Sequence, residues 1–317
     1  MRIAFLGTPE PAVPALEAFL NAPDVDVAAV ITNPDRPSGR GHRLSPPPVK
    51  VAAGRVGLEV WQPMRASDML ADLARLGVDA CAVVAYGALL PPEVLDAGGR
   101  GFVNLHFSLL PRWRGAAPVQ HTILAGDRQT GVTCFVLEVG MDTGPVLAVQ
   151  ATPVGEDETA GMLTARLARM GAPLLVGALR GLVEGTIVPR PQDHARATYA
   201  PKVTPADATL DWSQPAEALA RAVRAFNPVP GAHTTLSGQR LKIHTAKPLD
   251  EAPGGPGHAG GHPAPGTVLA VDPSLIVACG RGALELVEVQ PAGKPRMPAT
   301  AFARGHAIAG AVLGHGG

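Results

Sequence analysis

The stretch from Phe102 to Pro118 reads FVNLHFSLLPRWRGAAP, and both the fold and the site are predicted outward from it. It begins with apolar and β-favouring residues typical of a buried strand, and it breaks at Pro111 into a loop rich in arginine and glycine. Asn104 and His106 lie two residues apart inside the apolar run, so they project from the same face of the strand. A buried polar group without a partner costs about 1–3 kcal/mol. The amide and the imidazole are therefore expected either to bond within the protein or to face a ligand.

A carboxylate that could join this pair occurs further along the chain, in the segment VGMDTG at residues 139–144. Asp142 lies there in a loop bracketed by glycines, between strand candidates at Val132 to Val139 and Pro145 to Val149. An amide that donates to an oxyanion, an imidazole that donates or carries a proton, and a carboxylate that orients the imidazole suit acyl transfer. A strand histidine can equally be a bonded core residue, and an aspartate before Thr-Gly can be a turn residue. On the residues alone, both interpretations stay open.

The chain before this stretch predicts a doubly wound, mostly parallel sheet. A strand at Arg2 to Leu6, a helix at Glu10 to Leu20 and a strand at Val25 to Ile31 follow one another. The continuous apolar run from Asp79 to Ala85 predicts another strand, buried on both faces. This strand runs into AYGALLP, and ligands of such sheets bind at the carboxyl ends of strands. The glycines after the first strand do not follow the G-x-G-x-x-G pattern, so a dinucleotide site is not indicated.

A basic, proline-rich loop spans Asn33 to Lys50 and reads NPDRPSGRGHRLSPPPVK. Its prolines are expected to exclude regular structure through most of its length. Its cations outnumber its single acid, Asp35, and two glycines flank Arg40. The loop is either a solvated surface loop or a finger that binds a polyanion.

The second half of the chain changes pattern. Val188 to Ala206 contains four prolines and is interpreted as an extended linker. After it come a helix at Ala216 to Ala225 and short strands typical of a small barrel of the OB type. These strands are expected at His233 to Leu236, Arg240 to Thr245, Thr267 to Val271, Leu275 to Ala278 and Leu284 to Val289. The segment from Pro248 to Gly266, rich in glycine and proline, is expected to be a disordered hairpin tip.

Composition narrows the class of protein. A chain of 317 residues that is 46% hydrophobic can bury a sizeable core and predicts two domains. Because the formal net charge is zero, contact with a nucleic acid would depend on a local patch. The three scattered cysteines predict reduced, buried thiols and a reducing compartment. No signal segment is recognised and no apolar run approaches the roughly 20 residues of a membrane span, so a soluble, cytoplasmic protein is expected.

The segment NLHFSLLPRWRGAAP followed by MDTG resembles the signature of the formyltransferases that use 10-formyltetrahydrofolate. Further stretches fit the tRNA-modifying members of that family, in the same order along nearly the whole chain. They are FLGTPEPAVPALEAF, TNPDRPSGRG, AYGALLP, TYAPKVTPADATLDW, RAFNPVPGAHT and ALELVEVQPAGKPRM. The resemblance implies a Rossmann-like formyltransferase domain with a mostly parallel sheet at 1–187, a linker at 188–206, and a small OB-like β-barrel domain that binds tRNA at 207–317.

The resemblance also implies roles for individual residues. Asn104, His106 and Asp142 match the catalytic set. The folate pocket is expected to involve Tyr86, Gly87, Leu89, Ser108, Leu109, Leu110 and Pro111. Contacts with tRNA are expected from Arg36, Arg40 and Arg43, of which Arg40 matches the arginine that contacts the acceptor end. Arg112, Trp113 and Arg114 are expected to be exposed beside the site.

The implied reaction transfers the formyl group of 10-formyltetrahydrofolate to the α-amino group of methionyl initiator tRNA, for translation initiation. The enzyme is expected to be a monomer without a metal or a membrane partner. One alternative is a formyltransferase for an amino-sugar nucleotide or for glycinamide ribonucleotide. The other is a non-catalytic RNA-binding protein of the same fold. Two residues depart from the family pattern: Phe107 fills a position that is often small, and Val229 replaces a usual tryptophan.

Overall fold

The structure, a computed structural model, describes residues 1–38, 43–251 and 263–314. They divide into two compact units. The first unit contains Met1–Pro118, Gln129–Pro153 and Thr164–Ala200, and the second contains Val119–Arg128, Val154–Leu163 and the chain from Pro201 onward.

Nine of the described strands belong to the first unit. They are β1 (Arg2–Gly7), β2 (Asp26–Ile31), β3 (Arg36–Ser38), β4 (Arg43–Ser45), β5 (Val60–Trp61), β6 (Ala80–Val84), β7 (Phe102–His106), β8 (Gln129–Val136) and β9 (Val146–Pro153). Seven of them form one sheet in the order β5-β2-β1-β6-β7-β8-β9. Pairing is parallel from β5 to β7, and β8 and β9 add antiparallel strands at one edge. The predicted parallel-rich α/β sheet is therefore confirmed.

The helices are α1 (Val13–Leu20), α2 (Pro48–Arg55), α3 (Leu70–Leu76), α4 (Pro92–Leu95), α5 (Pro118–Ala125), α6 (Ala160–Glu184), α7 (Ala216–Ala225) and α8 (Ala299–Arg304). The predicted bounds of α7 are the observed ones, because the helix begins directly after Pro215, whose fixed φ marks its start. α6 is long and apolar enough to cross a membrane by length and composition alone, and half of its most apolar stretch is buried within the protein; one such helix is weak evidence for a membrane span.

The second unit contains a six-stranded antiparallel sheet. Its strands are β10 (His233–Leu236), β11 (Gln239–Leu249), β12 (Val268–Ala270), β13 (Leu275–Ala278), β14 (Ala283–Pro291) and β15 (Met297–Pro298). They follow the order β10-β11-β14-β13-β12, with β15 paired to β14. The sheet curls around a core that includes Trp212, Leu241, Val277 and Leu286. All five predicted strands exist, and an antiparallel curled sheet after the α/β unit agrees with the predicted fold class.

Three expectations differ from the structure. The basic loop is not irregular throughout, because β3 and β4 pair antiparallel within it. The expectation of a hairpin tip at Pro248 to Gly266 is wrong, because β11 continues through Leu249 and is not a neighbour of β12 in the sheet; residues 252–262 lie outside the described chain. The expected linker belongs to the first unit as far as Ala200, and it contains a short 3₁₀ turn at His194–Arg196.

The cysteines are free and buried, as predicted. Burial raises the pKa of the thiols of Cys81, Cys134 and Cys279 to about 12. Thiols with such pKa values hold almost no nucleophilic thiolate at neutral pH.

Candidate active site

The two polar residues of β7 share one face of the sheet, as the alternation of a strand requires. Asn104 pairs with Val83 of β6 and Phe135 of β8, and His106 pairs with Thr133 of β8. His106 is buried and Asn104 is partly exposed. Their side chains line a cavity of about 860 Å³ next to the carboxyl ends of β6 and β7. A cavity of this size falls in the usual range of small-molecule sites.

Asp142 lines the same cavity. Its Oδ2 atom lies 3.7 Å from Nδ1 of His106 and accepts a hydrogen bond of 2.7 Å from the backbone N–H of Gly115. The structure therefore brings together the amide, the imidazole and the carboxylate that the sequence singled out.

The orientation of the His106 ring follows from its other nitrogen. Nε2 lies 2.8 Å from the carbonyl oxygen of Trp113, and a carbonyl can only accept, so Nε2 carries the proton. Nδ1 is then the nitrogen that faces Asp142. The ring edge also packs against Phe135, with 6.3 Å between centroids, which limits its tilt.

Backbone strain is concentrated around this cavity. Among the described residues, four non-glycine residues have positive φ, and three of them are Ala85 (47°), Trp113 (61°) and Asp142 (52°). A left-handed residue other than glycine costs on the order of 1–3 kcal/mol and persists only where its surroundings hold it. At Trp113 the conformation aims the carbonyl at His106, and at Asp142 it accompanies the contact of the carboxylate with Gly115.

A second hydrogen-bond network supports the cavity wall at Tyr86. The carbonyl oxygen of Tyr86 accepts bonds from Nδ2 of Asn33 (2.6 Å) and Oγ1 of Thr8 (3.1 Å). Gln62 donates to the carbonyl of Asn33 and to Asp35, whose two oxygens accept from Nζ of Lys50. Asp35 has a pKa below its ordinary value because Lys50, and then Gln62, bond to the carboxylate. The network joins the base of the β3–β4 hairpin to the cavity wall.

The residues predicted to bind folate fall into two groups. Tyr86, Gly87 and Leu89 line the cavity, and Leu89 is exposed at its rim. The side chains of Ser108, Leu109, Leu110 and Pro111 do not appear in the lining. Ser108 is fully buried and donates to the carbonyl of Arg112, while its own carbonyl accepts from Thr133 Oγ1. This group therefore shapes the loop after β7.

The three residues after Pro111 do not share one environment. Arg112 is exposed and lies over the Trp113 ring, 5.0 Å from its centroid. The expectation that Arg114 is exposed is wrong, because the side chain is only 2% accessible. Its guanidinium donates to Oε1 of Gln192 from Nε (3.2 Å) and Nη2 (2.7 Å). Arg114 is thus a structural arginine and is not available to phosphates.

Of the arginines predicted to contact tRNA, Arg36 is exposed on β3 and Arg43 lies in β4. Arg40 lies outside the described residues. The departures from the family pattern are also placed: Phe107 lines the cavity, and Val229 is 71% exposed. In the described part of the chain, no group of three or more His, Cys, Asp or Glu side chains is arranged to hold a metal ion.

Residues that the sequence did not single out complete the site. Gln192 donates to the carbonyls of Asp142 (2.9 Å) and Gly144 (2.7 Å). Thr198 accepts from the backbone N–H of Trp113 through Oγ1 and from that of Arg114 through its carbonyl. Gly115 approaches Ala200 so closely that a Cβ there would lie 2.6 Å from its carbonyl oxygen. Gln192 lies in a proline-rich segment with no catalytic pattern. Gly115, Thr198 and Ala200 lie in stretches that fit the family, but those stretches gave them no role in the site.

Comparison with known proteins identifies the family. The family model described as formyl transferase matches residues 1–179, and that of its C-terminal domain matches residues 202–307. A curated methionyl-tRNA formyltransferase of Methylococcus capsulatus is 48% identical over 316 residues, which cover 99% of this chain and 100% of that one. The chain belongs to the methionyl-tRNA formyltransferase family. The resemblance seen in the sequence is thereby confirmed.

A further curated relative and two solved structures are also similar to this chain. The methionyl-tRNA formyltransferase of Thiobacillus denitrificans is 49% identical over 99% of this chain and 100% of its own. Two solved structures share the fold at low identity. An N-formyltransferase from Helicobacter canadensis, in complex with folinic acid and dTDP-3-aminofucose, has a TM-score of 0.66 at 17% identity, covering 91% of this chain and 98% of its own. HypX from Aquifex aeolicus with tetrahydrofolic acid has a TM-score of 0.65 at 20% identity, covering 96% of this chain and 47% of its own.

Proposed function

We propose that the protein transfers the formyl group of 10-formyltetrahydrofolate to the α-amino group of methionyl initiator tRNA, giving formylmethionyl-tRNA for translation initiation. The observation that carries the proposal is the meeting of Asn104, His106 and Asp142 in one cavity, in a chain nearly half identical over its whole length to methionyl-tRNA formyltransferases. We further propose that it acts as a cytoplasmic monomer.

We assign the co-substrate to the cavity described above. The volume of about 860 Å³ suits a pterin and the ring attached to it. The wall at Tyr86 and Gly87 is backbone held in place by Asn33 and Thr8, and Gly87 has a φ of 82°. We propose that Tyr86, Gly87 and Leu89 contact the folate, and that Ser108, Leu109, Leu110 and Pro111 act by shaping the loop behind it.

The reaction requires a neutral amine, an oxyanion site and a path for one proton. The amine nitrogen attacks the formyl carbon, the bond from that carbon to the folate nitrogen breaks, and the proton lost by the amine is gained by the folate nitrogen. A free α-amino group has a pKa of about 7.7–8.0, so much of it is already neutral near pH 7.5. Little activation of the nucleophile is needed.

Each of the three site residues has a distinct part in this scheme. Asn104 donates to the oxyanion of the tetrahedral intermediate. His106 has its Nε2–H engaged by the carbonyl of Trp113, so Nδ1 accepts a proton first and can donate to the intermediate or to Asp142 only as an imidazolium. Asp142 balances the charge of an imidazolium and accepts the amine proton on its way to the leaving nitrogen.

Recognition of tRNA is assigned to two regions. We propose that Arg36, Arg40 and Arg43 of the basic loop contact the acceptor end, and that the second domain, predicted at 207–317, binds the body of the tRNA. Arg40→Ala is expected to raise the KM for tRNA without changing folate binding. Equal rates for the variant and the parent at subsaturating tRNA would exclude this role.

The deciding experiment is formyl transfer from folate labelled in the formyl carbon. Methionyl initiator tRNA, methionyl elongator tRNA and a dTDP-amino sugar are offered as separate acceptors. The proposal predicts label on the initiator tRNA, much less on the elongator tRNA and none on the sugar. Label on the sugar alone would establish the amino-sugar alternative, and label on no acceptor would favour a non-catalytic RNA-binding protein.

A further inference from the structure

We propose that Gln192 is a positioning residue for formyl transfer. It joins the loop that carries Asp142 to the loop that carries Trp113, the hydrogen-bond partner of His106. This inference rests on the function proposed above. Gln192 is buried, with 7% of its surface accessible, and lies in the proline-rich segment that the sequence identified only as a linker. Neither of the two domain matches covers it, because one ends at residue 179 and the other begins at residue 202.

The orientation of the Gln192 amide is determined by its neighbours. Arg114 has donors only, and two of its N–H groups reach the same oxygen of Gln192. That oxygen must therefore be Oε1, and the amide nitrogen must point the other way. There Nε2 has two protons and meets two acceptors, the carbonyls of Asp142 at 2.9 Å and of Gly144 at 2.7 Å. All four hydrogen bonds fit one orientation of the amide.

Arg114 in turn belongs to the loop that orients His106. It directly follows Trp113, whose carbonyl accepts the bond from Nε2 of His106. Its backbone N–H donates to the carbonyl of Thr198 at 2.8 Å, and its Nη2 lies 3.1 Å from Nδ1 of His194, which must be the acceptor. The guanidinium is therefore held by Gln192 and His194, and the backbone of Arg114 is held by Thr198.

Two loops that meet at the reacting groups are thus fastened at two points. One is the bond between Gly115 N–H and the carboxylate of Asp142, beside the reaction. The other is the series of hydrogen bonds from Arg114 to Gln192 and from Gln192 to the backbone carbonyls of Asp142 and Gly144. The second attachment also holds Asp142 at its positive φ of 52°, which a free loop would leave. Removing it is expected to let the carboxylate shift relative to Nδ1 of His106.

The test separates two duties of Gln192, accepting from Arg114 and donating to the Asp142 loop. Gln192→Glu keeps an acceptor for the buried guanidinium but has no proton for the two carbonyls. Gln192→Met keeps the length of the side chain but can neither accept from Arg114 nor donate to the two carbonyls. The matched control is Gln150→Glu, an exposed glutamine on β9 of the same unit that does not line the cavity. Single-turnover formyl transfer, the KM for each substrate and thermal unfolding are measured for all four proteins.

Gln192→Glu is expected to keep both KM values, while its turnover falls about 10²-fold, the loss typical of a misplaced reacting group. Its unfolding temperature should fall less than that of Gln192→Met, because its carboxylate still accepts from the guanidinium of Arg114. Gln192→Met is expected to lose turnover similarly and also to unfold at a lower temperature, because it leaves a buried cation without an acceptor. Gln150→Glu is expected to match the parent.

Turnover of Gln192→Glu equal to that of the parent would overturn the proposal. The proposal would also be overturned if the loss of turnover in each variant were proportional to its loss of unfolding temperature. If Gln192→Glu does not fold, Gln192→Asn replaces it, since it keeps a neutral amide on a shorter side chain. Unchanged turnover in that variant would overturn the proposal as well. A parent protein that transfers no formyl group would instead refute the proposed function.

Discussion

Replacing Asp142 with asparagine tests whether its charge drives the reaction. The amide has nearly the shape of the carboxylate, and its oxygen can still accept from the N–H of Gly115, as Oδ2 does now at 2.7 Å. The variant therefore keeps the loop attached but removes the negative charge beside His106. It also removes the acceptor for the proton of the attacking amine.

The size of the loss follows from the separation of the two groups. Oδ2 of Asp142 and Nδ1 of His106 are 3.7 Å apart, with side chains only 16% and 7% exposed. Two opposite unit charges at this distance interact by about 4.5 kcal/mol when the effective dielectric constant is about 20. If that interaction exists only once an imidazolium forms, its removal slows the step by about 10³-fold. Loss of the proton acceptor adds to this figure.

The assay is single-turnover formyl transfer at saturating folate and tRNA, with thermal unfolding as a control for folding. Asp72→Asn is the matched variant, because it removes an exposed carboxylate that pairs with Arg75 on the protein surface. Such pairs contribute little, so its turnover should equal that of the parent. A loss of less than about tenfold in Asp142→Asn would refute the electrostatic reasoning and leave Asp142 as a turn residue. The double variant with His106→Ala should lose little more than Asp142→Asn alone, since residues that act as a unit are not additive.

Three further outcomes are expected. Asn104→Ala should lower single-turnover rates by about 10²–10³, as for one oxyanion donor, and a near-normal rate would remove Asn104 from the oxyanion site. Lys50→Met should remove the cation bonded to Asp35 at the base of the β3–β4 hairpin and leave Asp35 only its bond from Gln62. It should raise the KM for tRNA more than the dissociation constant of folate; equal changes in both would contradict this. Burial lowers the pKa of His244 below 6.5, so the folded protein binds fewer protons than the unfolded chain and loses stability as the pH falls below that value. His244→Gln, which can still donate to Gln290, should flatten this dependence in urea titrations between about pH 7 and pH 5, and an unchanged slope would show that other groups cause it.

The parts of the fold that follow from local rules could be predicted from the sequence. Strand alternation placed Asn104 and His106 on one face, and the run from Asp79 to Ala85 predicted β6, observed at Ala80–Val84. The hairpin in the basic loop was missed because prolines are normally evidence against strands. Pro37 is tolerated in β3 because this two-stranded sheet consists only of edge strands, where a residue without an N–H can face away from the partner.

The candidate site was predictable only where a motif carried it. The residues of the stretch beginning at Phe102 were recognisable together, and the resemblance connected Asp142 to them. Arg114 and Gln192 were not predictable, because their hydrogen bond joins positions 78 residues apart and an arginine in a polar loop is usually exposed. Only the folded chain shows that a segment rich in proline supplies the buried partner.

The segment from residue 180 to residue 201 has a consequence for recombining this enzyme with its relatives. It falls in the gap between the two domain matches, so a chimaera designed from those matches would treat it as neutral sequence. Gln192 and Thr198 nevertheless contact the loops of the site. A crossover near residue 187 would combine the site loops of one parent with the segment containing Gln192 and Thr198 of the other parent. Crossovers placed after Ala200 keep this segment with the site loops that it contacts. Chimaeras joined there should therefore retain turnover more often than those joined upstream.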